Sequence, residues 1–182
     1  MEVAMISEEK ITQTLEELKQ KLQVLEDKEE IRDLISQYSY NADLGRNDAY
    51  IQLFSEDGEF NLYSIEFDAL SVVKKQKAVE KFKGHARLKE LLEAAGHQSF
   101  TNMSQHILNL ALKIDIDGDK ATATGYDIGT VRWQAGFNIW RCAMRKWDFR
   151  RIDGRWLIEN TESIPIGDPE CQRLIPADSQ IR

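Results

Sequence analysis

The sequence predicts an α+β fold, a curved and mostly antiparallel sheet with N-terminal helices packed on one face. Apolar residues recur at helical spacing through the first quarter of the chain, and from Asn102 onward the period changes from 3.6 to 2. Asp-Gly pairs at Asp117-Gly118 and Asp153-Gly154 punctuate the later runs, as hairpin turns do. Helices followed by an antiparallel meander is the order that lets helices cover one face of a sheet.

The first segment, roughly Ser7 to Asp27, carries Ile11, Leu15, Leu18, Leu22 and Leu25 at alternating steps of four and three. That spacing predicts an apolar seam along one helix, with Ser7 as its N-cap. The seam needs a cover, either its own domain or a sister subunit, so a homodimer or homotrimer is expected. A second helix is predicted from Lys28 to about Ala42, on a stripe of Ile31, Leu34, Ile35 and Tyr38. Gly45 and Asn47 supply turn chemistry, and Asp48 to Phe54 reads as a short helix. Asp57-Gly58 predicts a turn before a strand over Glu59–Tyr63. Residues 84–95 form a helix pattern closed by Gly96.

Four strands follow: Met103 to Ile114, Lys120 to Trp133, Ile139 to Ile152, and Arg155 to Glu162. The tail from Pro165 reads as loop. The expected organisation is an N-terminal helix over 1–27, one α+β domain over 28–163, and a C-terminal tail over 164–182.

Length and composition limit the function. A chain of 182 residues with 42% hydrophobic and 30% charged residues can bury a core without disulfides or metals. The net charge of −7 argues against nucleic acid or anionic lipid as the main partner. Arg141, Arg145, Lys146, Arg150 and Arg151 form a local basic patch, but on a strand they alternate between faces. No apolar run is long enough to span a membrane, and no secretory leader is legible, so cytoplasmic residence is expected. Cys142 and Cys171 match no metal spacing, and Cys142 is expected as a small buried thiol.

Strand parity singles out three polar residues. His106 shares a face with Ser104, Leu108, Leu110 and Leu112. Arg145 shares one with Ala143, Trp147 and Phe149, a charge on an apolar face that is costly without a partner. Asp127 is in phase with Ala121, Ala123, Gly125 and Gly129, a face of small residues that leaves room. Each alone has a structural explanation: a satisfied core histidine, or an Arg145–Asp127 ion pair. Together, convergent polar groups on a concave sheet are how small-molecule sites are built. Which of these Asp127 does, pairing with Arg145 or touching a ligand, stays open here.

Several segments resemble the SnoaL-like branch of the nuclear transport factor 2-like superfamily. Residues 35–43 (ISQYSYNAD), followed by Asp48 and 54–58 (FSEDG), resemble its opening helix, short second helix and first strand. Residues 104–109 (SQHILN), with the turn 117–121 (DGDKA), resemble its histidine-bearing strand, and 150–158 (RRIDGRWLI) its closing hairpin. The resemblance implies a cone-shaped half-barrel enclosing one pocket. Lindane dehydrochlorinase, scytalone dehydratase and the bile acid 7α-dehydratases of this branch are lyases without cofactors that use an Asp–His pair. On that likeness the catalytic residues are Asp43 and His106, with Arg145 as pocket arginine and Tyr38 as pocket tyrosine. Tyr63, Asp127, Leu108 and Trp147 join them as substrate-binding residues. The sequence departs from scytalone dehydratase where Asp127 replaces a strand histidine, and where Ala143 and Arg145 replace a serine and an asparagine.

An imidazole titrates near operating pH, so His106 would take a proton beside a carbonyl while Asp43 fixes its tautomer. Arg145 or Tyr38 would hold a developing oxyanion. The set suits dehydration, elimination or isomerisation of an uncharged, fairly hydrophobic molecule such as a steroid, terpenoid or polyketide. It calls for no cofactor: there is no Gly-rich phosphate loop, and His85, His97 and His106 make no metal-ligand spacing. His85 and His97 flank a helix and are expected to face solvent. Epoxide hydrolysis or polyketide cyclisation, with Asp43 acting directly, is the rival chemistry, and a non-catalytic binding or scaffold module the rival class.

Overall fold

The computed structural model describes residues 8–67, 73–133 and 136–174. One long helix, α1 (Glu8–Asp43), opens the chain and is followed by the short α2 (Asn47–Ile51). Strands β1 (Phe54–Phe67) and β2 (Val73–Lys83) precede α3 (Gly84–Glu93) and α4 (Ala95–Gln98). Four more strands complete the sheet: β3 (Ser104–Asp117), β4 (Lys120–Trp133), β5 (Gly136–Ile152) and β6 (Arg155–Pro165). A 3-10 turn over Pro169–Leu174 closes the described chain.

The sheet order is β2-β1-β6-β5-β4-β3. Neighbours are antiparallel except β1 and β6, which run parallel, so the sheet is mixed rather than a plain meander. The β5–β6 hairpin turns at Asp153 (φ 50°) and Gly154 (φ 76°), the two positive dihedrals that a tight primed turn requires. Bulges interrupt β3 around Ala111 (φ 51°), and β1 between Phe54 and Glu59.

The expected break between residues 27 and 28 is absent. No Gly or Pro lies in 8–43, so the backbone ladder continues while the apolar stripe changes phase from the seam to the core-facing side. Asp27 is the first buried residue of α1, and it anchors the helix. Its carboxylate lies 2.6 Å from Arg151 Nη2 and accepts a hydrogen bond from the Trp156 indole at 3.3 Å. Beyond it Ile31, Leu34, Ile35, Tyr38 and Ala42 pack into the core with Phe54, Phe149, Trp156 and Ile158. The helix ends at Gly45 (φ +66°), whose left-handed backbone lets Arg46 N–H reach back to the Asn41 carbonyl.

Other elements shift. Residues 57–58 lie inside β1 as a bulge rather than forming a turn before it, and β2 pairs with β1 where no strand was expected. Ala94, extended at ψ 138°, ends α3; Gly96 lies inside the next turn of helix. The tail is not all loop, because Cys171 and Leu174 pack with Ile164. Cys142 is exposed rather than buried as expected, since it takes the opposite face from Ala143 and Arg145, and Cys171 is buried. Ser7 lies outside the described residues.

Residues 8–26 of α1 are exposed throughout. Ile11, Leu15, Leu18, Leu22 and Leu25 are 47%, 52%, 55%, 55% and 63% accessible, so the seam does not fold back onto its own domain.

Candidate active site

The site is assembled from the end of α1, from α2, and from the inner face of β3, β4 and β5. Asp43 is the last residue of α1, and its carboxylate caps the start of β3. The His106 backbone N–H donates to Asp43 Oδ2 at 2.9 Å and Oδ1 at 3.2 Å, while His106 Nδ1 lies 2.5 Å from Oδ1. A carboxylate can only accept, so Nδ1 carries the hydrogen and Nε2 is left as a base. His106 lines a cavity of about 120 Å³ together with Tyr38, Tyr50, Trp140, Arg141 and Arg145. Asp43 does not reach the cavity wall; it stands behind the imidazole.

The cavity floor holds a buried charge cluster. Arg145, 1% accessible, donates Nε and Nη2 to Asp127 Oδ2 at 2.9 and 2.8 Å. Its Nη1 donates to the Tyr38 hydroxyl at 3.1 Å and to Thr161 Oγ1 at 3.2 Å. Ser163 Oγ donates to the same Asp127 oxygen at 3.0 Å, and Arg141 Nη2 stands 3.1 Å from it. Burial by itself would raise Asp127, but the charges of Arg145 and Arg141 overcome this and hold it down to about 2. Arg145 is likewise kept cationic: burial opposes its charge, and Asp127 more than restores it. The sharing resolves the open question at Asp127, which pairs with arginine and is not on the cavity wall.

The Tyr38 and Tyr50 rings meet at a tilt of 46°, with 4.7 Å between their centroids. Burial, and then the neighbouring Tyr38, push Tyr50 well above the usual phenol range, so its hydroxyl keeps its proton.

A bulge in β5 shapes the opposite wall. Gly129 of β4 pairs with Arg141, and Thr130 pairs with Ile139, so Trp140 is the extra residue. A bulge re-aims side chains, and here both Trp140 and Arg141 line the cavity. A Cβ on Gly129 would lie 2.7 Å from the Trp140 indole, so that ring occupies the space the glycine leaves. Trp140 stacks on Phe100 at 5.3 Å and meets His106 edge-on at 6.4 Å.

Of the residues expected at the site, the structure brings Asp43, His106, Tyr38 and Arg145 together. Leu108 and Trp147, 2% and 0% accessible, belong to the packed core beneath the helix stripe rather than to the cavity wall. Tyr63 lies in β1, and Trp133 ends β4, but their side chains fall outside the described residues. His97 lines the cavity instead of facing solvent; burial, and then the nearby His106, lower its pKa. His85 is half-buried, its Nε2 3.1 Å from the Phe54 carbonyl. Tyr50, His97, Trp140 and Arg141 were not singled out from sequence. Arg141 has the same strand parity as Arg145, a signal hidden by the surrounding basic residues. Among the described residues no group of three or more His, Cys, Asp and Glu side chains could hold a metal, and no helix is long and apolar enough to cross a membrane.

A family model for the SnoaL-like domain matches residues 23–162. Among solved structures, the chain is similar to an NTF2-like protein with a cystatin-like fold from Novosphingobium aromaticivorans. Identity is 25% and the TM-score 0.75, over 95% of this chain and 99% of that one. It shares its fold with a candidate scytalone dehydratase from the same organism (19% identity, TM-score 0.59, 79% of this chain and 95% of that one). A candidate aromatic ring hydroxylase from Novosphingobium aromaticivorans also has this fold (22% identity, TM-score 0.58, 78% and 90%). None of the curated proteins compared matches the chain.

Proposed function

The chain belongs to the SnoaL-like domain family, and on that premise we propose that it is a cofactor-independent lyase or isomerase acting on a hydrophobic, ring-sized molecule. The observation that carries the proposal is the clamp on Asp43. One carboxylate holds both the backbone N–H and the ring of His106, which leaves Nε2 facing a cavity with mixed aromatic and polar walls.

In this reading His106 Nε2 removes a proton from carbon beside a carbonyl, and the imidazolium is stabilised by Asp43. The electron pair moves toward the carbonyl oxygen, where Arg145, Tyr38 and Tyr50 offer positive charge and hydroxyl donors. In a dehydration the pair then forms the new double bond, and hydroxide leaves as water with a proton from a tyrosine hydroxyl or from the imidazolium. In an isomerisation the same proton returns at another carbon. Because Asp43 stands behind the histidine, direct activation of water by Asp43, as in epoxide hydrolysis or cyclisation, has less support.

The same reading places the protein in the cytoplasm as a homodimer or homotrimer, its α1 seam covered by a sister subunit. The test of the chemistry is a screen of one- and two-ring β-hydroxy carbonyl compounds and enones for loss of water or double-bond migration. Turnover that vanishes in His106→Ala is the expected result. Ligand binding with no turnover on any such compound points to a binding module instead.

A further inference from the structure

Among the described residues the charges around the cavity do not balance locally. Asp43 serves His106, whereas the floor holds two guanidinium groups, Arg141 and Arg145, against one carboxylate, Asp127. Arg145 is satisfied, with Asp127, Tyr38 and Thr161 as its partners. Arg141 is not. Among the described residues its one ion pair is Nη2 to the Asp127 oxygen that already accepts from Arg145 and Ser163. Its guanidinium carbon lies 5.8 Å from the centre of the Trp140 ring, and its remaining N–H groups have no acceptor among the described residues. Its side chain is only 18% accessible, so bulk water cannot compensate it fully. Burial pulls its pKa down despite Asp127, the mark of an under-compensated cation.

Position matters as much as charge. His106 pairs with Gly129 and Gly129 with Arg141, so the two functional side chains rise from positions in register across three strands. Their backbones are therefore about 10 Å apart. Gly129 between them has no side chain, and the gap holds the flat Trp140 indole, which lies near both His106 and Arg141. That is a platform for a ring with a base at one end and a spare cation at the other.

We infer that the molecule this cavity takes carries an oxyanion on a ring, a carboxylate or an ionised phenol, seated on the free N–H groups of Arg141. The inference deepens the function proposed above and rests on it for the reacting carbon at His106, though not for the anion site itself. It replaces the uncharged substrate expected from sequence with a singly charged one. The anion completes the floor cluster: two cations then face two anions. It also orients the ring, since an aromatic acid held at one end by a guanidinium has its far edge near the imidazole.

Isothermal titration of the full chain with benzoate and with its neutral counterpart benzamide tests the inference. Titration with 4-nitrophenolate and nitrobenzene at pH 8.5 distinguishes the two oxyanion sources. Benzoate or 4-nitrophenolate should bind at least about tenfold more tightly than its neutral partner, the scale of a charge-assisted contact. The preference should fall to about threefold or less in Arg141→Gln and persist in Arg141→Lys, which keeps the charge. Equal binding of charged and neutral probes to the wild type overturns the inference, as does an undiminished preference in Arg141→Gln. A thermal melt checks folding; if Arg141→Gln does not fold, the wild-type and Arg141→Lys ratios decide. His106→Ala should keep the anion preference. An active His106→Ala that still prefers benzoate would therefore sink the proposed base and leave the anion site standing.

Discussion

Asp43 grips His106 twice, through the backbone N–H with both carboxylate oxygens and through the ring at Nδ1, 2.5 Å from Oδ1. A single residue at the end of α1 thus fixes both the strand position and the tautomer of the base. Two residues that act as one unit should show losses far from additive. His106→Ala should lower kcat by roughly 10²–10⁴-fold. Asp43→Asn should cost a similar factor and the double mutant little more, as steady-state kinetics on any compound turned over will show. A double mutant whose loss is the product of the two would falsify the dyad.

Arg145 should prove structural as well as functional. Arg145→Ala leaves the buried Asp127 with Arg141 as its remaining cation and the Ser163 hydroxyl as a neutral donor, and breaking a buried pair costs about 3–5 kcal/mol. Urea unfolding should record a loss of that order, whereas Arg141→Gln should cost much less. Comparable losses in the two variants would contradict the different partner sets seen at the two arginines.

Stability should decline in acid through Asp127. Its carboxyl is depressed from 3.8 to about 2 in the fold, so the unfolded chain binds the proton first as pH falls. The contribution, on the order of 2 kcal/mol, is present above pH ~4 and lost as pH drops toward 2. Asp27, also lowered, acts in the same direction: burial opposes its charge, and its hydrogen bonds to Arg151, Gln23 and Trp156 more than offset this. Urea titrations at pH 7, 4, 3 and 2 should therefore show a shallower acid limb in Asp127→Asn than in wild type.

Gly129→Ala should move the Trp140 indole, which would otherwise lie 2.7 Å from the new methyl group. Overpacking of this kind costs about 1–3 kcal/mol. The tryptophan emission should shift, and binding of a ring-sized ligand should weaken more than stability does. An unchanged spectrum and affinity would mean that the ring adjusts freely.

The exposed α1 seam predicts self-association. Leu18→Asp with Leu22→Asp puts charge into the middle of the seam and should yield a monomer by sedimentation velocity, with the cavity and its ligand binding intact. Wild type that sediments as a monomer at micromolar concentration would remove the basis for the assembly.

The sequence by itself determined the order of most elements, the last three strands and their Asp-Gly turns, and the inward faces of His106, Arg145 and Asp127. These are local: they follow from the two-residue period of a strand, the 3.6-residue period of a helix, and the positive dihedrals that Asp153 and Gly154 accept. The family resemblance added Asp43, which lies off the apolar stripe of its own helix. Tertiary structure alone decided the rest. The parallel pairing of β1 with β6 joins residues about a hundred positions apart, and no local period encodes it. The bulge at Trp140 shifts one residue against its partner strand, which reverses the face that simple alternation assigns. His97 lines the cavity from α4, which follows an extended Ala94 that no helical period marks. The division of labour between Arg141 and Arg145 was equally hidden, because parity gives a side chain its direction but only packing decides how many acceptors it meets.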